Sequence, residues 1–477
     1  MTLAQHEARL AHDLDCLGFG GADWTRTSMS DAGQDGAHIH DVVIVGGGQS
    51  GLGAAFGLLR ERISNIVVLD ENPAGQEGPW DSYARMMTLR TPKHLTAIDY
   101  GIPALTFRAY WEAMHGPQSW AAIDKIPRRD WMDYLRWYRR VLRLPVRNDS
   151  RVTLVEPVRR GLFRLSLADG ETLLARKVVM ATGIQGGGQW QMPAMVTKLP
   201  GHLYAHTSQA IDFDALAGRR IAILGGGASA FDNAQHALSL GAGEVHVFVR
   251  RQQLPTVNPI RFLEANGVIP RFPALADEAK YRMMKSFFER NQPPTNDTFA
   301  RAASHPGFHL HLGSPWLDVE ESGAGVDVIT PQGRQRFDFL ILSTGLTTDP
   351  ALRPELRPVA AGIARWSDRF APQDRDAVLD AHPYLGTGFQ LLPRTPQDED
   401  ALHGLFAFNY SGLINFGLSA SAISGLKHAL PRLVQGVADQ LFLDDQGAIL
   451  ADYFAYAEPE FSAQLPTPRA TRTDAAA

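Results

Sequence analysis

Residues 41–72 read DVVIVGGGQSGLGAAFGLLRERISNIVVLDEN, and the order of features in this stretch decides the fold class. Val42–Val45 is a short, fully apolar run suited to a strand, and Gly46, Gly48 and Gly51 follow at G-x-G-x-x-G spacing. Residues 51–61 have helical composition, and a second apolar run, Ile66–Leu69, ends at Asp70, 24 residues beyond Gly46. Each part has a task if the ligand is a dinucleotide. Gly46 permits the tight turn, Gly48 lets backbone approach a pyrophosphate, and Gly51 lets helix and strand pack closely. The helix N-terminus then offers its unpaired N–H groups to the phosphates, while the Asp70 carboxylate accepts from ribose hydroxyls. A bare glycine triplet is common in ordinary turns; specificity comes from having both strands, the helix and the acid in register.

The layout recurs at IAILGGGASAFDNA (221–234), where Gly225, Gly227 and Ala230 give G-x-G-x-x-A. Its second strand, VHVFVRR, reaches Arg250 25 residues after Gly225, and Arg251 follows. A carboxylate at that position repels a 2′-phosphate, whereas a guanidinium grips it, so this unit is expected to take NADPH. The competing reading is an ordinary surface Arg pair beyond a strand. Two further apolar runs bracket the second unit: KVVMATG, ending at Thr182 and Gly183, and FDFLILSTG, ending at Thr344 and Gly345. They suit parallel strands covered on both faces. The expected architecture is therefore α/β, with two Rossmann-like dinucleotide-binding domains and the NADPH domain inserted into the FAD domain. The limits are 1–39 for an N-terminal helical extension, 40–204 and 336–477 for the FAD domain and its tail, and 205–335 for the NADPH domain. FAD would stay bound in the first unit while NADPH visits the second to reduce it.

Composition narrows the remaining chemistry. The chain has 477 residues, 44% hydrophobic and 20% charged, enough for a large core and two or three domains. A net charge of -5 gives no reason to expect nucleic acid or an anionic membrane as partner. The first residues lack the apolar core of a signal peptide, and no run approaches the ~18 apolar residues of a membrane span, so a cytoplasmic location is expected. Cys16 is the only cysteine, which excludes a dithiol relay and a thiolate metal cluster. His309 and His311 alternate in FHLHLG without an acid or cysteine close in sequence, so they read as ordinary strand residues and no metal is expected. The stretch LPTPRATRTDAAA (465–477) reads as a frayed polar tail.

Several short motifs resemble the class B flavin-dependent monooxygenases, nearest their N-hydroxylating branch, which acts on ornithine and lysine. TLRTPKH (88–94) is similar to that branch's TLRDP segment beside the flavin, and TVNP places Asn258 where those enzymes have a Val-Asn pair meeting nicotinamide and substrate. FGLSASAIS (416–424) resembles their HGLSDTLLS helix start, and IPRRDWMDYLRWYRRVL (126–142) resembles their P-x-R-x-E-F-x-x-Y-L-x-W helix. The resemblance implies a C4a-(hydro)peroxyflavin that transfers one oxygen atom from molecular oxygen to a small organic substrate, at nitrogen, sulfur or a carbonyl. It also implies a role for Asn258 at the reacting centre and, through the TLR match, for Arg90 and Lys93; with Trp80 in GPWDSY these would line the flavin face and neutralise its pyrophosphate or an anionic substrate, the alternative being a packed indole and solvated charges. No acid–base triad is needed for such chemistry, because the protein supplies orientation, dryness and electrostatics.

The departures bear on substrate. Where ornithine hydroxylases hold the amino acid with a Lys-Asp pair, this sequence has Ala84 and Arg85, and the His and Asp of HGLSD become Phe416 and Ala420. Free ornithine or lysine is therefore not expected. The Baeyer–Villiger fingerprint is imperfect too, since Gly201 and His206 stand one residue too far apart. His206, Asn409 and Asn415 are further candidates, for a hinge or for the flavin ring, with hydrogen-bonded linker or loop-capping roles as the alternative. Two other functions stay open on sequence: an NADPH-dependent flavin oxidoreductase or oxidase without oxygen transfer, and a flavin-binding interaction protein. Homo-oligomerisation is likewise left open.

Overall fold

The computed structural model describes residues 1–26, 38–265, 267–420 and 422–463; the tail at 465–477 and part of the extension expected at 1–39 lie outside them. Strand Ile39–Val45 sits centrally in a seven-stranded sheet, between Ile66–Leu69 and Thr172–Met180 and parallel to both. Val146–Arg147 extends the parallel edge, and a hairpin of Val152–Arg159 and Leu162–Leu167 closes the other side antiparallel. The free edge of Thr172–Met180 is shared. Its first residues pair with the hairpin, whereas Val178–Met180 pair with Leu405–Ala407. Chain from the far end of the sequence thus returns to the first sheet.

The second sheet is wholly parallel, in the order Phe308–Leu312, Glu244–Val249, Arg220–Leu224, Phe339–Leu342, Tyr204–His206. Strand Phe339–Leu342, from the FDFLILSTG run, registers against Ile221–Leu224 and so joins this sheet, not the first. A small antiparallel meander, Asp318–Ser322, Gly325–Thr330 and Gly333–Phe337, packs nearby. Two sheets with parallel strands following glycine turns make the α/β class and its Rossmann-like organisation plain.

The chain crosses between the sheets twice, and the crossings pair: Gly188–Trp190 runs antiparallel to Leu346–Thr348. The Gln191 N–H donates to the Gly345 carbonyl at 2.9 Å, and the Thr344 hydroxyl donates back to the Gln191 carbonyl. His206, at the end of edge strand Tyr204–His206 of the second sheet, packs against this ribbon. Its ring stacks on Trp190 at 4.8 Å, Nδ1 lies 2.7 Å from the Ser208 hydroxyl, and burial pushes its pKa down to about 4. A neutral, stacked imidazole here holds the crossing together.

Helix packing explains the return of the C-terminal segment. Helix Gln49–Arg60 is rich in small residues, and helix Ile423–Ala455 lies against them. A Cβ at Gly53 would stand 2.5 Å from Leu430 Cδ1, and one at Gly57 would stand 2.5 Å from Val434 Cγ2 and overlap the Tyr100 hydroxyl. Helix propensity alone favours alanine over glycine by about 1 kcal/mol, whereas overpacking costs about 1–3 kcal/mol. Packing should win, so Gly57→Ala is expected to lower the melting temperature; a rise would show that the two helices separate easily.

The N-terminal helix, Leu3–Cys16, starts with a Thr2/Gln5 capping box and buries His6, Leu10 and Leu14. His6 stacks on Trp137, and Glu7 accepts from Arg140 at 2.5 Å and from the Trp137 indole at 3.1 Å. It therefore docks on helix Arg128–Val141, whose aromatic face, with Trp131, Tyr134 and Tyr138, lines the first core.

Candidate functional site

The two glycine turns are built alike. Gly46 and Gly225 have φ of 108° and 133°, the left-handed region that favours glycine. A Cβ at Gly46 would lie 2.5 Å from the Ala181 carbonyl oxygen, and one at Gly225 would overlap the Ser343 carbonyl oxygen. Each turn is thus pressed against the chain leaving a neighbouring strand, just before Thr182–Gly183 in one case and Thr344–Gly345 in the other. Gly51 is glycine for internal reasons too, since a Cβ there would overlap the Gly46 carbonyl oxygen.

Gly48 and Gly227 differ in kind. Around Gly48 the nearest protein atom to a Cβ would be Gly78 Cα at 3.7 Å, and around Gly227 nothing lies within 4 Å. Their φ values, -72° and -82°, are open to any residue. Both are N-caps of 12-residue helices, and neither helix has a side-chain cap or an acid in its first turn. Each helix therefore presents uncapped N–H groups beside a vacant backbone approach, the arrangement that suits an anionic group.

Around the first turn the polar groups fit a dinucleotide. Asp70 is buried; its Oδ2 accepts from the Gly47 N–H at 2.7 Å, and its Oδ1 accepts from the Asn72 backbone and side chain at 2.8 and 2.9 Å. A cavity of about 240 Å³ adjoins the turn, lined by Gly47, Leu52, Gly75, Glu77, Met132 and Arg139. Trp80 is buried with no hydrogen-bond partner for its Nε1, close to where Gly78 faces Gly48. Beside it Trp131 donates to the side chain of Gln49, the first residue of the helix, at 3.1 Å. The orphaned indole N–H and the open Gly48 backbone both favour an acceptor-rich ligand here.

The remaining sequence candidates are placed differently from one another. Arg90 forms an ion pair with Asp232, on the helix that follows the second glycine turn, and the Arg261 guanidinium donates to the Arg90 carbonyl at 2.7 Å. Burial pushes the Asp232 carboxyl above its ordinary value, with the Arg90 guanidinium pulling it down. Lys125 and Asp297 add a second ion pair between the same two parts of the chain at 2.6 Å. Lys93 is turned to its own loop, donating to the Trp120 and Ile123 carbonyls, with its ammonium 5.1 Å from the Trp120 ring centroid. Asn258 accepts from the Ile260 N–H at 3.1 Å at the start of helix Pro259–Ala265. Arg250 is exposed and has no hydrogen-bond or ion-pair partner among the described residues, whereas Arg251 donates to the Glu289 carbonyl at 2.8 Å.

Asn409 uses its amide on Met180, Thr182 and Gly186, and Asn415 bridges Trp366 and Leu385, so both side chains are satisfied by protein. Arg85 stretches over Phe213 and donates to the Ser82 carbonyl at 2.7 Å. Sequence reasoning missed Asp232, Gln49 and Trp131 at these junctions. Gln49 alone carried a local signal, its position directly after the second glycine of the turn.

Two sheets with parallel central strands, each with an open glycine turn at a helix start and joined by a paired crossing, define a flavoprotein oxidoreductase with two dinucleotide units. Over 472 residues, 98% of this chain and 99% of the relative, the sequence is 62% identical to a protein named FAD-dependent urate hydroxylase from Xanthomonas campestris pv. campestris. The chain belongs to this family of FAD-dependent flavoprotein monooxygenases. Residues 43–261 match the family model described as pyridine nucleotide-disulphide oxidoreductase. The fold is also that of the reduced form of ornithine hydroxylase from Pseudomonas aeruginosa, at a TM-score of 0.67 and 17% identity, covering 85% of this chain and 100% of that one. L-lysine 6-monooxygenase from Pseudomonas syringae gives 0.66 and 18%, covering 84% and 99%. No described helix is long and apolar enough to cross a membrane.

Proposed function

We propose that this enzyme uses NADPH and molecular oxygen to hydroxylate urate or a closely related anionic purine. The observation that carries the reading is near-full-length identity to a protein named for urate hydroxylation. The absence of a Lys-Asp pair at Ala84 and Arg85 supports it, because alanine provides no cation for an amino-acid carboxylate. In balance, one substrate, one NADPH, one proton and one oxygen molecule give one hydroxylated substrate, NADP⁺ and water.

In this reading the second unit is taken from its strands, about Tyr204 to Leu342, and its helix N-terminus at Gly227 receives the NADPH pyrophosphate. Arg250 meets the 2′-phosphate. The helix N-terminus at Gly48 holds the FAD pyrophosphate, Asp70 the adenosine ribose, and the Trp80 N–H an acceptor on the bound cofactor. FAD supplies the two-electron chemistry that activates oxygen. Arg90 and Asp232 act as positioning residues: their pair fixes the second unit's helix against the segment after Trp80. Removing one partner would leave a poorly hydrated charge, costing about 3–5 kcal/mol for a fully buried pair and less for this partly exposed one. In the same reading Asn258, just before helix Pro259–Ala265, faces nicotinamide or substrate.

The test follows NADPH oxidation, oxygen uptake and urate loss in one reaction. The expected result is equal consumption of all three with urate, and no coupled turnover with ornithine or lysine. Oxidation of NADPH to give only peroxide, with urate untouched, would make the enzyme an oxidase and overturn the proposal.

A further inference from the structure

Four residues distant in sequence meet on one face of the second sheet. His246 pairs in register with His309, and Phe248 with His311. Side chains alternate along a strand, so Glu244 and His246 share a face, as do His309 and His311. The His246 ring stacks against His309 at 4.3 Å and against His311 at 5.1 Å. His246 Nδ1 lies 2.9 Å from His311 Nε2, and its Nε2 lies 3.1 Å from Glu244 Oε2. One ligand atom each from Glu244, His246 and His309 falls within 4.8 Å of the others.

We propose that Glu244, His246 and His309 bind one divalent transition-metal ion of the zinc class. Imidazole and carboxylate donors select such ions over magnesium or calcium, which prefer all-oxygen shells. His246 is the anchor. In the tautomer that carries the proton on Nδ1, toward His311, the Nε2 lone pair faces the Glu244 carboxylate, and a cation between them takes the place of the Nε2 proton that otherwise bonds Glu244. Ligating histidines ordinarily fix their second nitrogen in this way. Glu244 Oε2, the oxygen nearest His246 Nε2, also accepts from Arg220 Nε at 2.7 Å, so a rotation of the partly exposed carboxylate is what brings Oε1 to the ion. His309 is exposed and Glu244 partly so, which lets both side chains close to bonding distance while water completes the coordination shell.

The location says what the ion does. Glu244 opens its strand and His309 is the second residue of Phe308–Leu312, so the site lies at the N-terminal ends of parallel strands. The glycine turn of this unit follows the C-terminal end of Arg220–Leu224, at the opposite edge. The ion therefore staples edge strand Phe308–Leu312 to its neighbour and takes no part in oxygen transfer.

The experiment uses tag-free, FAD-loaded enzyme stripped with chelator and then titrated with zinc chloride alone by calorimetry, with melting curves in parallel. One zinc per chain is expected, with affinity falling about tenfold or more in both His309→Ala and Glu244→Gln. Zinc should raise the melting temperature of the wild type and not that of His309→Ala. His309 is exposed, so that variant keeps its fold, and a matching flavin content and melting temperature without zinc checks it. No binding at micromolar zinc, or equal binding by wild type and both variants, would reduce the cluster to a hydrogen-bonded histidine stack and overturn the proposal.

Discussion

Gly48→Val is expected to yield a folded but colourless protein. The backbone at Gly48 is unstrained for valine, and the nearest protein atom to its Cβ would be 3.7 Å away, so the chain itself does not demand glycine. In the proposed function, what demands it is the approach of a pyrophosphate to the N-terminus of helix Gln49–Arg60. Filling that approach forces the ligand off the N–H groups and out of contact with the Trp80 corner. Overpacking of about 1–3 kcal/mol, together with charge-assisted hydrogen bonds of about 1.5–3 kcal/mol, amounts to a loss in flavin affinity of about sixtyfold or more. The check is flavin absorbance per protein after gel filtration, beside a melting curve. Gly51→Val supplies the contrast: its Cβ would overlap the Gly46 carbonyl oxygen, so this variant should lose soluble protein altogether. A yellow Gly48→Val protein with full flavin content would remove the first turn from the cofactor site.

The contrast between these two glycines also marks what could be read from sequence. Both turns, their strands and helices, and Asp70 lie within stretches of about thirty residues, and local spacing encodes them because one supersecondary unit performs the whole task. Register between distant strands is not encoded that way. His309 and His311 looked isolated because Glu244 and His246 reach them only through a parallel pairing that sequence order does not reveal. Arg90 is legible as a candidate cation in a short motif; its partner Asp232 stands 142 residues away on another unit's helix. Lys93 shared the same motif, yet loop carbonyls satisfy its ammonium, an outcome that depends on how residues 120–123 fold back. The closeness of helices Gln49–Arg60 and Ile423–Ala455 was visible only as glycines at 53 and 57, which suit a flexible helix as well as a packed one.

Arg250→Ala is expected to lower the preference for NADPH over NADH by about tenfold to a hundredfold, while Arg251→Ala changes it little. The two arginines are neighbours in sequence but not equivalent. Arg251 donates to the Glu289 carbonyl, and its own carbonyl accepts from the Gly313 N–H at 2.9 Å, so it ties the end of strand Glu244–Val249 to the surrounding chain. Arg250 is exposed and unpartnered among the described residues, leaving its whole fork for a 2′-phosphate. Charge-assisted contacts of about 1.5–3 kcal/mol convert to factors of about ten to a hundred. NADH lacks the phosphate, so its rate should hold while the apparent affinity for NADPH falls, and added salt should weaken wild-type NADPH binding more than that of the variant. Anaerobic flavin reduction at matched nucleotide concentrations measures this directly. Equal losses with both nucleotides would mean that Arg250 supports the fold of the second unit and does not read the phosphate.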